Sequence, residues 1–327
     1  MASASPASPE PPGADTNARP ATEPPAEPPA EAPAGAPTEP GTLVRLDGTV
    51  LDRSRPALCA DDLGVLRGDG VFEALLVTDG RPVLLREHLD RLARSAAALG
   101  LRPPEPSAWE RCLAAAIARH GGGDAYARLV LTRGRESGGP ATGYALVDPL
   151  PATTLRARAD GIRVLTLTRG TVTLPPGRAP WLLHGAKSLS YAVNMAAQRW
   201  ARAHDAEDVI FLAEDGMVLE GPTSAVLLAR GDRLLSPPPE LGILPSIALG
   251  ALFAEAAERG RHCAYARLTA EDLHGGDGLW LVSSVRLAAR VRALDGADLP
   301  PGPHHDAVAA LLHAACRNPA ADRPHRP

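Results

Sequence analysis

The sequence holds almost no lysine: of 34 basic residues, one is lysine, Lys187, and the rest are arginine. Aromatic residues make up only 3% of the chain. Its four cysteines, Cys59, Cys112, Cys263 and Cys316, contain no Cys-x-x-Cys pair and no Cys/His spacing that could close a zinc site. No apolar run approaches the roughly 18 residues of a membrane span, and the N-terminus lacks the basic and apolar regions of an export signal. A net charge of -4 gives no long-range pull toward nucleic acid or acidic lipid. These absences argue against a metal module, a disulfide scaffold, a membrane protein and a nucleic-acid binder. They favour a cytoplasmic protein with free thiols, no metal and a small-molecule substrate.

What is present is a chain of 327 residues, 45% of them apolar, long enough for two modest domains. Residues 1–41 are rich in Pro, Ala and Glu without hydrophobic periodicity, and are expected to form a disordered tail. An N-terminal α/β domain is expected over 42–150, with hairpins at Asp47-Gly48 and Asp79-Gly80. In it the stripe Leu85, Leu89, Leu92, Ala96 and Leu99 predicts one helix, and 107–120 a second. Strands are expected over 126–133 and 144–147. A linker is expected over 151–157 and a second α/β, barrel-like domain over 158–300, followed by a C-terminal helix and tail over 301–327. Within the second domain, a helix over 188–203 with Leu189, Val193, Ala196, Trp200 and Ala203 inward follows Lys187. Strands are expected at 162–168, 209–212, 217–220, 224–229, 279–283 and 288–293, and a helix at 246–258.

Lys187 carries the chemical argument. Arginine replaces lysine wherever a surface cation suffices, but its guanidinium stays protonated, whereas an ammonium can shed its proton and act as a nucleophile. A retained lysine is therefore either a leftover surface cation or an amine needed for a Schiff base. A lysine bound to pyridoxal phosphate also needs an acid opposite the pyridine nitrogen and donors for the phosphate. Glu220, ending an apolar strand, is a candidate acid; Arg91 and the loop-to-helix segment Gly242–Ala248 with Ser246 are candidate phosphate donors.

Taken together, Asp62–Glu73, His88–Leu92, Lys187–Tyr191, Glu220–Ser224 and Gly242–Pro245 resemble the ordered signature blocks of class IV, fold-type IV pyridoxal-phosphate enzymes. The resemblance implies a smaller N-terminal α/β domain, a larger C-terminal α/β pseudo-barrel and a homodimer with pyridoxal 5'-phosphate between the domains. It implies Lys187 as the Schiff-base and proton-transfer residue, Glu220 at the pyridine nitrogen, and Arg91, Ser246, Ile247 and Ser284 around the phosphate. The chain departs from the usual pattern at Ser190, Ala225 and Ala248.

Within the family, Arg67, Asp69 and the absence of Arg-x-His after Thr132-Arg133-Gly134 are more similar to the lyases of 4-amino-4-deoxychorismate. These form 4-aminobenzoate, a folate precursor, and pyruvate. Tyr126 and Arg128 match a Tyr-x-Arg that branched-chain transaminases use for substrate carboxylates. A branched-chain or D-amino-acid transaminase is therefore the alternative, and a non-catalytic pyridoxal-phosphate binder a second. Tyr126, Arg128 and Arg67 are the candidate substrate residues.

Overall fold

Apolar residues alternating with period two organise the first half of the chain around a sheet. The computed structural model describes residues 41–171 and 178–317; the expected N-terminal tail through residue 40, part of the Pro-rich loop before Lys187 and the end of the chain lie outside the described residues. Strands β1 (Thr42–Arg45) and β2 (Val50–Leu51) pair across Asp47-Gly48. After the short α1 (Leu63–Leu66), β3 (Gly70–Thr78) and β4 (Arg81–Pro82) pair across Asp79-Gly80, both residues at positive φ as a tight hairpin turn requires. Helices α2 (Leu85–Ala98) and α3 (Pro106–His120) precede β5 (Ala125–Thr132) and β6 (Thr142–Pro149). Among the described residues, these strands form an antiparallel six-stranded sheet in the order β2-β1-β6-β5-β3-β4. Val71, Leu75, Leu129 and Leu131 point to its helix-covered face, against Leu89, Leu92, Trp109 and Leu113. The opposite face, carrying Phe72, Ala74, Tyr126 and Arg128, is left for a site.

The expected linker over 151–157 is instead part of a helix, α4 (Ala152–Asp160). Pro151 is its N-cap with extended backbone, just outside the helix, where its missing N–H removes no intrahelical bond. Then come β7 (Ile162–Thr168), α5 (Ala192–Ala203), β8 (Asp208–Leu212), β9 (Ala225–Arg230), β10 (Arg233–Ser236) and α6 (Ile247–Glu258). The chain continues through β11 (His262–Tyr265), α7 (Ala270–His274), β12 (Gly278–Ser283), β13 (Leu287–Leu294), β14 (Ala297–Asp298) and α8 (His305–Arg317). A mixed sheet runs β11-β10-β9-β12-β13-β7-β8, with β14 beside β13. Its centre is covered on both sides. On β9, Val226 and Leu228 join one core with Leu281 and Val291, while Leu227 packs with Leu249 and Leu252 of α6 and Leu311 of α8. Burying each such leucine contributes roughly 2 kcal/mol. The mixed α/β fold expected from the sequence is the one observed.

Two expectations about α5 fail. The helix begins at Ala192, not 188, and it buries Ala197 and Ala201 while Val193 is 54% and Trp200 50% exposed. The period was right, but the apolar stripe does not face this chain's core. Met217–Glu220 forms no full strand; it is extended and held by isolated bridges to Leu212 and Thr269. No helix among the described residues is long and apolar enough to cross a membrane.

Candidate active site

Side chains from both sheets line a cavity of about 1500 Å³. Lys187 stands in it, 8% exposed. The lysine sits not at a helix start but on an extended segment docked on β3: Phe72 N–H donates to the Lys187 carbonyl at 3.0 Å and Leu189 N–H to the Gly70 carbonyl at 2.8 Å. This close approach requires Gly70, where an added Cβ would lie 2.6 Å from the Leu131 carbonyl oxygen and 2.7 Å from Leu189 Cδ1. Ser95 Oγ accepts from the Lys187 backbone N–H at 3.0 Å. Lys187 Nζ lies 3.2 Å from the Tyr191 hydroxyl and 4.5 Å from the centre of the Phe72 ring. Phe72 and Tyr191 meet edge to face, so two aromatic rings fix where the amine can go.

Arg91 lies outside the Leu85, Leu89, Leu92, Ala96 and Leu99 stripe of α2, yet is only 5% exposed because β3 offers it a buried carboxylate. Glu73 occupies a core-facing position between Val71 and Leu75, and burial alone would raise its pKa. The hydrogen bonds of Arg91 and His88 and the charge of Arg91 more than offset that and hold it at about 2. Arg91 Nε and Nη2 donate to Glu73 at 2.6 and 2.8 Å, and His88 Nδ1 lies 2.7 Å from the same carboxylate. Burial keeps the His88 pKa low, so the ring is neutral with Nδ1–H donating. Arg91 Nη1 donates to the Pro245 carbonyl at 2.8 Å, tying α2 to the loop before α6. A guanidinium has five N–H donors, so these three bonds leave two for a ligand. Ser246 caps α6 by accepting from Leu249 N–H at 3.3 Å, which leaves the first-turn amides of Ile247 and Ala248 without intrahelical partners.

Glu220 lines the same cavity from the second sheet. Its backbone is paired with Phe211 in β8, and its carboxylate accepts from Leu244 N–H at 3.2 Å. Burial pushes its pKa up to about 7 despite that bond and the nearby charges of Lys187, Arg169 and Arg91. Arg169 is fixed by the Phe211 ring, 4.6 Å from its guanidinium carbon, and by Asn194 at 3.1 Å.

Tyr126 and Arg128 line the cavity from β5, two residues apart and therefore on one face, with Arg128 stacked 5.2 Å over the Tyr126 ring. Arg128 donates to Asp148 at 2.8 Å, and Asp148 also binds Arg53. Burial raises the pKa of Tyr126, and that of Tyr144, which the sequence reading missed beside it. Ser246 and Ser284 line the cavity, the latter in the β12–β13 turn. Arg67 lies on the surface within 3.7 Å of Glu136 and is not among the cavity-lining residues. Asp69, a mark of substrate class in the sequence, binds Arg133 at 2.6 and 3.1 Å. Glu73, His88, Phe72 and Arg169, to which the sequence reading gave no role, complete the surroundings. Among the described residues no group of three or more His, Cys, Asp or Glu could hold a metal.

The family model described as amino-transferase class IV matches residues 70–294. A Mycobacterium tuberculosis protein named bifunctional aminodeoxychorismate lyase / D-amino acid transaminase is 46% identical over 283 residues, covering 84% of this chain and 98% of its own. A solved structure of a hypothetical aminotransferase from Mycobacterium tuberculosis, in a PLP-bound form, matches with a TM-score of 0.82 at 45% identity, over 84% of this chain and 98% of that one. A fold IV transaminase from Curtobacterium pusillum matches with a TM-score of 0.79 at 40% identity, over 84% and 97%.

Proposed function

The chain belongs to the class IV amino-transferase family, and from that premise we propose that it is a pyridoxal-phosphate enzyme that cleaves 4-amino-4-deoxychorismate to 4-aminobenzoate and pyruvate. The observation that carries the reading is the chain's single lysine, buried in a large cavity that also holds Glu220 and Arg91. The side chains fit the cofactor. Arg91 keeps two N–H donors free, the first turn of α6 offers the Ile247 and Ala248 amides, and Ser246 and Ser284 add hydroxyls, together a donor set for a phosphate dianion. The amides of Ile247 and Ala248 do this without the hydroxyl that the family often carries at residue 248. Glu220 would bind the pyridine nitrogen, and a pyridinium there favours the ionised carboxylate that burial opposes.

When bound, pyridoxal phosphate supplies an aldehyde for an amine to attack and a protonated ring that accepts electrons released at the substrate. Lys187 Nζ would hold the cofactor through its aldehyde and, when free, would accept the substrate ring proton. Tyr191 and Phe72 restrict the amine to one side of the cavity for that transfer. Tyr126 and Arg128 would orient a substrate carboxylate.

D-amino-acid transamination is the second reading, favoured by the double name of the Mycobacterium tuberculosis relative. The choice is tested by supplying 4-amino-4-deoxychorismate and measuring 4-aminobenzoate and pyruvate. In parallel, D-amino or branched-chain amino acids are supplied with 2-oxoglutarate and glutamate is measured. Glutamate without 4-aminobenzoate would overturn the lyase reading. Borohydride treatment should leave a pyridoxyl mass adduct on Lys187; its absence would end both enzyme readings. We also place the enzyme in a homodimer, supported by the exposed apolar side chains Trp181, Val193 and Trp200, which a second copy would cover. Sedimentation as a monomer at micromolar concentration would refute it.

A further inference from the structure

We infer that Arg286 is a carboxylate-binding residue of this cavity, a substrate clamp on the second sheet separate from Arg128 on the first. The inference rests on the reading that the cavity handles amino- or keto-acid substrates, all of which carry a carboxylate. Arg286 sits at the β12–β13 turn and lines the cavity with Ser284. Its side chain is 16% exposed, and Nη1 donates to Asp208 at 2.7 Å, an aspartate wholly withdrawn from water. Nε and Nη2 are buried and have no hydrogen-bond partner among the described residues. Leaving buried charged donors unpaired is costly, so an edge of a guanidinium held this way favours a planar anion that can accept two parallel N–H bonds. A carboxylate meets that requirement.

The turn that presents Arg286 is held rigidly. Arg158 donates to the Arg286 carbonyl at 3.1 Å and to the Val285 carbonyl at 2.6 Å, and Ser283 Oγ accepts from the Arg286 N–H at 3.2 Å. The next residue, Leu287, is buried at φ 61, a left-handed backbone that a leucine avoids unless its surroundings impose it. Asp208 supplies the opposite charge, so the pair is neutral until a ligand arrives and does not attract anions by charge alone. Recognition therefore falls to the geometry of the two free donors. Arg128 shows the same arrangement on the first sheet: one nitrogen on Asp148, and a buried Nε without a partner. Two such half-satisfied arginines in one cavity suit a substrate with two carboxylates.

The test uses the enzyme loaded with pyridoxal phosphate and glutarate as an unreactive dicarboxylate probe, with affinity measured by calorimetry. Arg286→Gln should weaken glutarate binding at least tenfold. Arg286→Lys, which keeps the charge beside Asp208 but not the fork, should weaken it several-fold. Both variants should retain cofactor affinity within about twofold. Unchanged glutarate affinity overturns the inference; so does a loss of cofactor affinity with glutarate binding intact, which would give Arg286 to the phosphate instead. Should either variant fail to fold with Asp208 left bare, hydrogen exchange on the unaltered enzyme decides: glutarate should slow exchange over 279–291. Protection confined to 125–132, or none at all, overturns the inference. A borohydride adduct on Lys187 with glutarate indifferent to Arg286 defeats this inference alone, whereas no adduct defeats the functional reading and leaves the glutarate result to stand on its own.

Discussion

Two carboxylates approach the same cavity from opposite sheets and are held in opposite states. Glu73, on β3, is lowered to about 2, and Glu220, beside β8, is raised to about 7. Glu73 is wholly buried, while Glu220 lines the cavity and is partly exposed, so burial cannot be what holds Glu73 the lower of the two. The difference is the company: Glu73 meets a bidentate guanidinium and a histidine, whereas Glu220 has one backbone N–H and charges that do not touch it. A buried acid whose partners are already supplied acts as a fixed strut. One whose partner is missing is prepared for a ligand that brings a positive charge. On this comparison Glu73 positions Arg91, while Glu220, on the proposed reading, would meet the cofactor ring.

The largest effect expected from breaking the contrast is at the strut. Glu73→Gln leaves Arg91 as a buried charge without its counter-ion, and breaking such a pair costs about 3–5 kcal/mol. Denaturant unfolding should show that loss, and the affinity for pyridoxal phosphate should fall with it because Arg91 is no longer aimed. A variant within 1 kcal/mol of wild type would show that Glu73 is not what holds the arginine.

Next is the pH dependence, where the two acids have opposite signs. The depressed Glu73 contributes stability that is present above its unfolded pKa of 4.5 and lost as pH falls from there toward about 2. The raised Glu220 is favourable while protonated. That advantage is lost as pH rises from 4.5 through about 7, amounting to roughly 3 kcal/mol once the carboxyl is ionised. Cofactor-free Glu220→Gln protein should therefore melt several degrees above wild type at pH 8 and converge with it near pH 4.5. Loading with pyridoxal phosphate should reverse the order at pH 8, since glutamine cannot pair with a pyridinium. Parallel melting curves across this range in the cofactor-free proteins would show that Glu220 does not titrate in it.

How much of this was legible in the sequence depends on whether the decisive contact was local. Turn chemistry at Asp47-Gly48 and Asp79-Gly80, and the Leu89/Leu92 stripe of α2, are local and read correctly. Glu73 was legible too, had the strand's parity been applied to it: a charge between Val71 and Leu75 on the core face demands a partner, and His88 and Arg91 stand one turn apart on the following helix. Pro149, Pro151 and the adjoining threonines suggest a linker, yet proline is also at home at a helix start. The inward face of α5 was misassigned because periodicity identifies an apolar stripe but not the surface that covers it. Arg286 was out of reach, since its role depends on Asp208, 78 residues earlier in the chain.

The smallest expected effect sharpens the comparison most, because it concerns a charge that acts on Glu220 without touching it. Arg169 lies close enough to lower the Glu220 pKa, behind Lys187 among the favourable charges, and is held by Phe211 and Asn194. Removing it in Arg169→Met keeps most of the apolar stem against Phe211 while deleting the charge. The Glu220 carboxyl should then become harder to ionise. The midpoint of the Glu220-dependent melting profile, defined by subtracting the Glu220→Gln curve, should move upward by a fraction of a pH unit, equivalent to less than about 1 kcal/mol. A midpoint that stays put would mean the guanidinium is screened from the acid, leaving burial, the Leu244 N–H and Lys187 to set its state. A downward move would contradict the electrostatic account of Glu220 altogether, since no loss of a neighbouring cation can make a carboxylate easier to form.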